Sequence, residues 1–506
     1  MAQREQWGSR IGFILAAVGS AVGLGNIWRF PYMVADNGGG IFFLVYLLAL
    51  LTAGIPIMIL EFSIGHKYRG GAPLSFAKMN KKFEWLGWGQ VLICFFIAVY
   101  YVVVIAWALS YVYHSISVGY SDDPSGFFFG NVLGLTDDPM ILGGIQTQLL
   151  LPLLIAWAIN FAAIYTGVKG GIERTAKILI PMMFLMVVFI AVRGVTLPGA
   201  ASGLNFMFEP DFSRILDFKV WSAAYGQIFF DLSIAFAIMI TYSSYLPKKS
   251  DLTANAFTTC LTNCSFSLLA GLAVFSVLGH MAFTQGVDVS EVAGAGVGLA
   301  FVTFPAAITT LGGAAPLFGV LFFLALSFAG ITSLISINEA AIAALMDKLN
   351  MERKKVTIAY HVVAVACSLL IVTGAGLYIL DIVDHFTNNI GVVFAGLIEV
   401  ILIGWFFNLK SLREHIDAVS EIKAGAWWSF CIKFVTPIVA GYTGIMTLIA
   451  DIKTPYGGYT QEAVLLMGWT VVAAIVIGGF LLSKTKWKDE QYLLTGVEKG
   501  VNNDVR

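Results

Sequence analysis

Apolar residues gather into twelve long runs, at 10–34, 41–65, 88–116, 146–167, 174–195, 220–245, 254–283, 316–346, 356–378, 386–407, 427–450 and 462–483. Polar and charged residues collect between them. A helix of about 20 residues crosses a hydrocarbon core about 30 Å thick. The pattern therefore predicts an all-α membrane protein of about twelve transmembrane helices.

Two runs carry interruptions. Lipid offers a backbone no hydrogen-bond partners, so a break in a spanning helix has to line an enclosed cavity. In the first run, Gly19-Ser20-Ala21-Val22-Gly23-Leu24-Gly25-Asn26 places glycines and an amide side chain among apolar residues. Each glycine costs a helix about 1 kcal/mol relative to alanine, so unwinding is cheap there. The spacing of Gly19 and Gly23 also suits close helix packing. A dinucleotide-binding reading of these glycines fails, because no strand precedes them and no third glycine follows in register. The sixth run carries Gln227, Asp231 and Ser233 within 226–233, which predicts a second interruption there.

An acid at mid-membrane costs at least about 2.5–3.5 kcal/mol and calls for a partner, an ion or water. One reading is a buried ion site. The other is a neutral carboxyl hydrogen-bonded between helices.

The breaks fall at corresponding places in two five-span halves, which points to an inverted repeat around a midplane site. This divides the chain into a first half at 1–196, an outer loop at 197–219, a second half at 220–408, two extra helices within 409–485 and a cytoplasmic tail at 486–506. Half-helix N-termini present N–H groups to an anion, and freed carbonyls coordinate a cation such as Na⁺.

Composition agrees with a lipid environment: 58% of the 506 residues are apolar and 12% charged. Basic residues mark the cytoplasmic side. Lys67, Arg69, Lys78, Lys81, Lys82, Lys169, Arg174, Lys248, Lys249, Arg353, Lys354, Lys355, Lys410 and Arg413 fall in one set of connections, whereas 119–145 and 284–315 have no Lys or Arg. Both termini are thus expected in the cytoplasm, with the apolar N-terminal run retained as the first span rather than cleaved.

The net charge of −1 carries no basic patch and no nucleic-acid footprint. Cys94, Cys260, Cys264, Cys367 and Cys431 fall in or beside the spans and imply no disulfide framework. Cys260 and Cys264 sit one turn apart, but no further ligand completes a metal set. An enzyme is not expected, since His66, His114, His280, His361, His385 and His415 are scattered without a paired acid motif.

Arg4-Glu5-Gln6-Trp7 and GSAVGLGNIWRFP at 19–31 closely resemble the neurotransmitter:sodium symporter family, of LeuT-type fold, as seen in its bacterial sodium-dependent amino acid transporters. The likeness continues through NGGG at 37–40, GIERTAKILIP at 171–181, GLNFMFEPDF at 203–212, GQIFFDLS at 226–233 and FAGITS at 328–333. It covers nearly the whole chain. The resemblance implies sodium-coupled import of a small amino acid or amino acid-like solute by alternating access, across the plasma or bacterial inner membrane.

It also implies two sodium sites. The first is Ala21, Asn26, Asn263 and Asp231, and the second is Gly19, Val22, Ala329, Thr332 and Ser333. Carbonyl, amide and hydroxyl oxygens suit a hard monovalent cation. The solute's carboxylate is expected on Leu24, Gly25 and Tyr101, and its amine near Ala21, Phe230 and Ser233. Its side chain is expected against Ile97, Phe236 and Ile337, with Ser20, Asp231 and Ser333 completing the lining. Family members that carry amines without a carboxylate have an acid at the position of Gly23, so this chain suits substrates that bring their own acid.

The chain departs from the family at Asp231, where many relatives have Ser or Thr beside a chloride ion. The remaining pocket, Tyr46, Gln227, Asn263 and Ser267, is present. Chloride-independent transport is expected, with Asp231 supplying the charge and taking up a proton on the return step. Gates are expected at Arg29 with Asp384 under a lid of Tyr101 and Phe230, and at Arg4 with Asp347 near Trp7, Ser244 and Tyr245. Glu61, Glu339 and Glu399 fall within or near spans, where an acid can support unwound backbone by hydrogen bonding, and none has a specific role assigned. A β- or γ-amino acid or a taurine-like solute is the alternative cargo, a solute sensor or channel is the alternative function, and oligomeric state is not legible.

Overall fold

The computed structural model describes residues 4–120, 122–293, 296–490 and 493. Most of the expected tail at 486–506 lies outside the described residues. Among the described residues, ten helices are long and apolar enough to cross a membrane: Gly40–Tyr68, Lys81–Ser117, Thr147–Tyr165, Val168–Val195, Leu252–Gln285, Gly312–Leu349, Arg353–Val372, Gly376–Phe406, Gly425–Gly458 and Gln461–Lys484. Each overlies one of the apolar runs.

The remaining two runs are broken. The first span is a pair, Arg10–Ala21 and Gly25–Asp36, bent by 54°. Ser9 caps its start by accepting the Gly12 N–H, which satisfies one of the donors a helix end leaves free. The helix stops at Val22, whose backbone is extended (φ −75°, ψ 102°). It resumes through a wide turn over Gly25–Arg29.

The sixth span comprises Phe218–Asp231 and Ile238–Ser244. The interruption lies at 232–237, not at the 226–233 expected from the polar residues, because Gln227 and Asp231 sit on the last intact turns of the upstream helix. The backbone opens just beyond them. Ser233, Ala235 and Ala237 adopt positive φ (51°, 65° and 64°), a left-handed conformation that side chains other than glycine rarely take.

The long third and eighth spans, Lys81–Ser117 and Gly312–Leu349, flank the two breaks and contribute Ile97, Tyr101, Ser333 and Ile337 to one central cavity. The seventh span, Leu252–Gln285, is capped by Asp251 through the Ala254 N–H and packs against the first. The last two spans are mostly exposed, each with 28% of its apolar window buried, as befits helices that face lipid.

Candidate functional site

The two breaks meet at a small cavity of about 30 Å³. Ser20, Ala21 and Gly25 line it from the first span, and Phe230, Asp231, Ser233 and Phe236 from the sixth. The third span adds Ile97 and Tyr101, and the eighth adds Ser333 and Ile337. Gly23 and Asn26 also reach the cavity. Leu24 does not line it, but donates its N–H to the Tyr101 hydroxyl at 3.2 Å.

Glycine is required where the walls close in. A Cβ at Gly23 would stand 2.9 Å from both Ser333 Oγ and Tyr101 Oη, and one at Gly25 would fall 2.5 Å from Phe230 Cε1.

The breaks free backbone oxygens for other partners. Ser233 Oγ donates to the Ser20 carbonyl at 2.9 Å. Ser333 Oγ lies 3.3, 3.2 and 3.5 Å from the carbonyls of Gly19, Ser20 and Val22. Thr332 Oγ1 is 3.0 Å from the Ala329 carbonyl, and a Cβ on Gly19 would reach Thr332 Cβ at 3.2 Å. The second set of expected cation ligands is thus gathered at one place.

Members of the first set are joined through Asn26. Its Oδ1 accepts the Gly23 N–H at 2.8 Å, while its Nδ2 donates to Asn263 Oδ1 at 2.9 Å and to Ser267 Oγ at 2.7 Å. Asp231, 1% exposed, accepts from the Tyr46 hydroxyl at 3.0 Å and from Gln227 Nε2 at 2.8 Å. Of the four other residues expected around a chloride-like pocket, Tyr46 and Gln227 thus bond the Asp231 carboxyl, while Asn263 and Ser267 are bonded to Asn26.

The ends of the cavity differ. At one end, Arg4 Nη1 bonds both oxygens of Asp347 at 2.9 and 3.1 Å, and Arg4 Nε donates to Ser244 Oγ at 3.0 Å. The Arg4 guanidinium also lies 4.9 Å from the Tyr245 ring. Trp7 is bonded to the Tyr242 and Tyr245 carbonyls at 2.8 and 3.2 Å. At the other end, the Arg29 guanidinium lies 4.6 Å from the Phe230 ring and makes no ion pair with Asp384. Asp384 instead accepts from the Tyr100 hydroxyl at 2.6 Å and from Asn388 Nδ2 at 2.7 Å.

The partners of the buried acids had no sequence signal. Glu61 accepts the Ala235 N–H at 2.5 Å and so supports the opened backbone of the sixth span. Glu339 holds Arg353 at 2.5 and 2.9 Å and the Tyr245 hydroxyl at 2.7 Å, and Arg353 reaches Glu5 at 2.7 Å. Glu399 accepts from Gln90 at 2.6 Å. These partners are far apart in the chain, so no spacing rule could pair them. The expectation that the histidines lack acid partners is corrected at His385, whose Nε2 lies 2.8 Å from Asp451 Oδ2. Among the described residues, the five cysteines are free and no cluster of three metal-ligating side chains forms.

The Sodium:neurotransmitter symporter family profile matches residues 4–122 and 117–488. The chain is 45% identical over 486 residues, 96% of its length and 98% of the relative's, to an uncharacterized sodium-dependent transporter of Methanocaldococcus jannaschii. It is 31% identical over 485 residues to the human sodium- and chloride-dependent GABA transporter 2 and 32% over 488 residues to that of Rattus norvegicus, covering 88% of this chain and 80% of each relative.

Proposed function

Because this chain belongs to the Sodium:neurotransmitter symporter family, sodium-dependent membrane transporters and not enzymes, we propose that it imports a small zwitterionic amino acid by alternating access. The observation that carries this reading is the meeting of both helix breaks in one cavity. There the freed carbonyls of Gly19, Ser20 and Val22 lie beside amide, hydroxyl and carboxylate oxygens.

In this reading two sodium ions occupy the two oxygen sets. The solute's carboxylate takes the N–H groups at 24–25 and the Tyr101 hydroxyl, and its amine faces Ala21, Phe230 and Ser233. Ile97, Phe236 and Ile337 bound its side chain. Neutral aliphatic or aromatic amino acids lead, since Gly23 supplies no acid of its own. A γ-amino acid is the second reading, favoured by relatives named GABA transporters.

In this reading the Lys- and Arg-rich connections face the cytoplasm, and with them both termini. Arg4 and Asp347 close the inner side, and Arg29 closes on Asp384 when the outer side shuts. Asp231 replaces chloride: its carboxylate already occupies the group of donors formed by Tyr46 and Gln227. A proton takes the cation's place there on the return step.

Sodium-driven uptake of labelled amino acids into proteoliposomes tests the reading, with and without chloride. Uptake that needs sodium and ignores chloride supports it, and Asp231→Ser should create a chloride requirement. Binding without uptake would mean a sensor, and ion flux far exceeding solute flux would mean a channel.

A further inference from the structure

A groove of about 570 Å³ runs between the fourth and ninth spans, Thr147–Tyr165 and Arg353–Val372. Its rims are exposed side chains such as Leu154 and Val362, and the small residues Ala158 and Ala366 between them leave it open. The floor is aromatic. Trp157 and His361 are buried with their rings 5.5 Å apart, and the Phe161 ring stands 5.2 Å from His361. The polar atoms of this floor are already bonded elsewhere. Trp157 Nε1 donates to Ser368 Oγ at 3.2 Å, and the His361 ring nitrogens lie 2.8 Å from the Thr357 carbonyl and 2.9 Å from Asn160 Oδ1. A polar guest would find no partner there and would lose its hydration.

One end of the groove is charged. Phe161 stacks on Tyr165 at 5.1 Å, and the Lys354 ammonium lies 5.3 Å from the Tyr165 ring. Lys354 stands one turn before Ile358, which lines the groove. Its basic neighbours are committed: Arg353 is bonded to Glu5 and Glu339, and Lys355 lies 3.7 Å from Glu352. Among the described residues, no acid pairs with Lys354. From Ile358 to Leu369 the groove extends about 16 Å along the helix. That is about half of a hydrocarbon core about 30 Å thick, the depth of one leaflet.

We propose that this groove binds an anionic phospholipid, with one acyl chain along Trp157, His361 and Phe161 and the phosphate beside Lys354 and Tyr165. The two parts of the site choose the occupant. Apolar walls at membrane depth call for hydrocarbon, and a cation without an acid at the foot calls for negative charge, as basic residues at a membrane surface do. A lipid seated there would pin the first turn of the ninth span, which also carries Arg353 and its bonds to Glu5 and Glu339.

The test uses the full chain in nonionic detergent, with added lipid titrated against thermal unfolding, since a ligand of the folded state raises the midpoint. Dioleoylphosphatidylglycerol should raise it at lower concentration than dioleoylphosphatidylcholine, whereas inorganic phosphate, which has the charge without the chain, should not raise it. Lys354→Gln should weaken phosphatidylglycerol binding about fivefold, the worth of one lysine at an anionic surface, and leave phosphatidylcholine binding as it was. Lys354→Arg should keep the preference. Ala366→Phe fills the groove and should weaken binding of both lipids, and Ala158→Phe serves if that variant folds poorly. Equal response to the two lipids in the wild type, or a preference that survives Lys354→Gln, would overturn the anionic site. Unchanged lipid binding in both alanine variants would overturn the groove as its seat. If those variants instead turned a dimer into a monomer, the groove would belong to a second copy of this chain and the proposal would fall.

Discussion

The two ends of the cavity are closed by different physics. The Arg4 end is a lattice of directional bonds: Arg4 to Asp347 and Ser244, and Glu339 to Arg353 and Tyr245. The Arg29 end has aromatic cover, with Arg29 over the Phe230 ring. Its acid, Asp384, is occupied by Tyr100 and Asn388. The difference teaches which end is tied more firmly. Many partners must part before the Arg4 end opens, whereas the Arg29 end has one ring and one guanidinium to move.

Three substitutions would break or sharpen this contrast. The largest effect is expected for Glu339→Ala, which strands Arg353 in a buried setting; losing one partner of such a pair costs about 3–5 kcal/mol. Unfolding of the purified protein measures it, and a loss indistinguishable from that of an exposed substitution would mean that this lattice does not hold the Arg4 end. Next comes Arg4→Ala, whose part-buried bonds to Asp347 and Ser244 tie the Arg4 end together. A loss of about 1–2 kcal/mol should speed hydrogen exchange of the Ile238–Ser244 amides about five- to thirtyfold. Unchanged exchange would mean that this end is held elsewhere.

The smallest effect is expected for Phe230→Leu. It removes a cation–π contact worth about 0.5–1 kcal/mol, so bound solute should leave about two to five times faster with little change in thermal stability. A strong loss of stability there would show that the outer cover is structural as well.

The fold was legible because lipid enforces a simple rule: apolar runs of sufficient length become helices. All twelve runs carry helix, and the glycines of the first break sit where the chain bends. The second break was displaced because polar residues mark where a helix has work to do, not where its backbone opens. Asp231 ends the upstream helix, and the left-handed residues Ser233, Ala235 and Ala237 include no glycine to signal the turn. Sequence motifs placed the cavity residues through family resemblance. The supports at Glu61, Glu339 and Tyr100 join positions far apart in the chain, where local pattern is silent.

The crowding at Gly23 bears on how such a protein could change its diet over evolutionary time. An acidic residue there would let the cavity greet bare amines, yet its first carbon would collide with Ser333 and Tyr101. Serine could swivel only by leaving the Gly19 and Ser20 carbonyls, and the tyrosine ring only by leaving Leu24. A switch of cargo at this position therefore asks Ser333 and Tyr101 to give ground together with the new side chain, so the walls and the acid adapt as one unit.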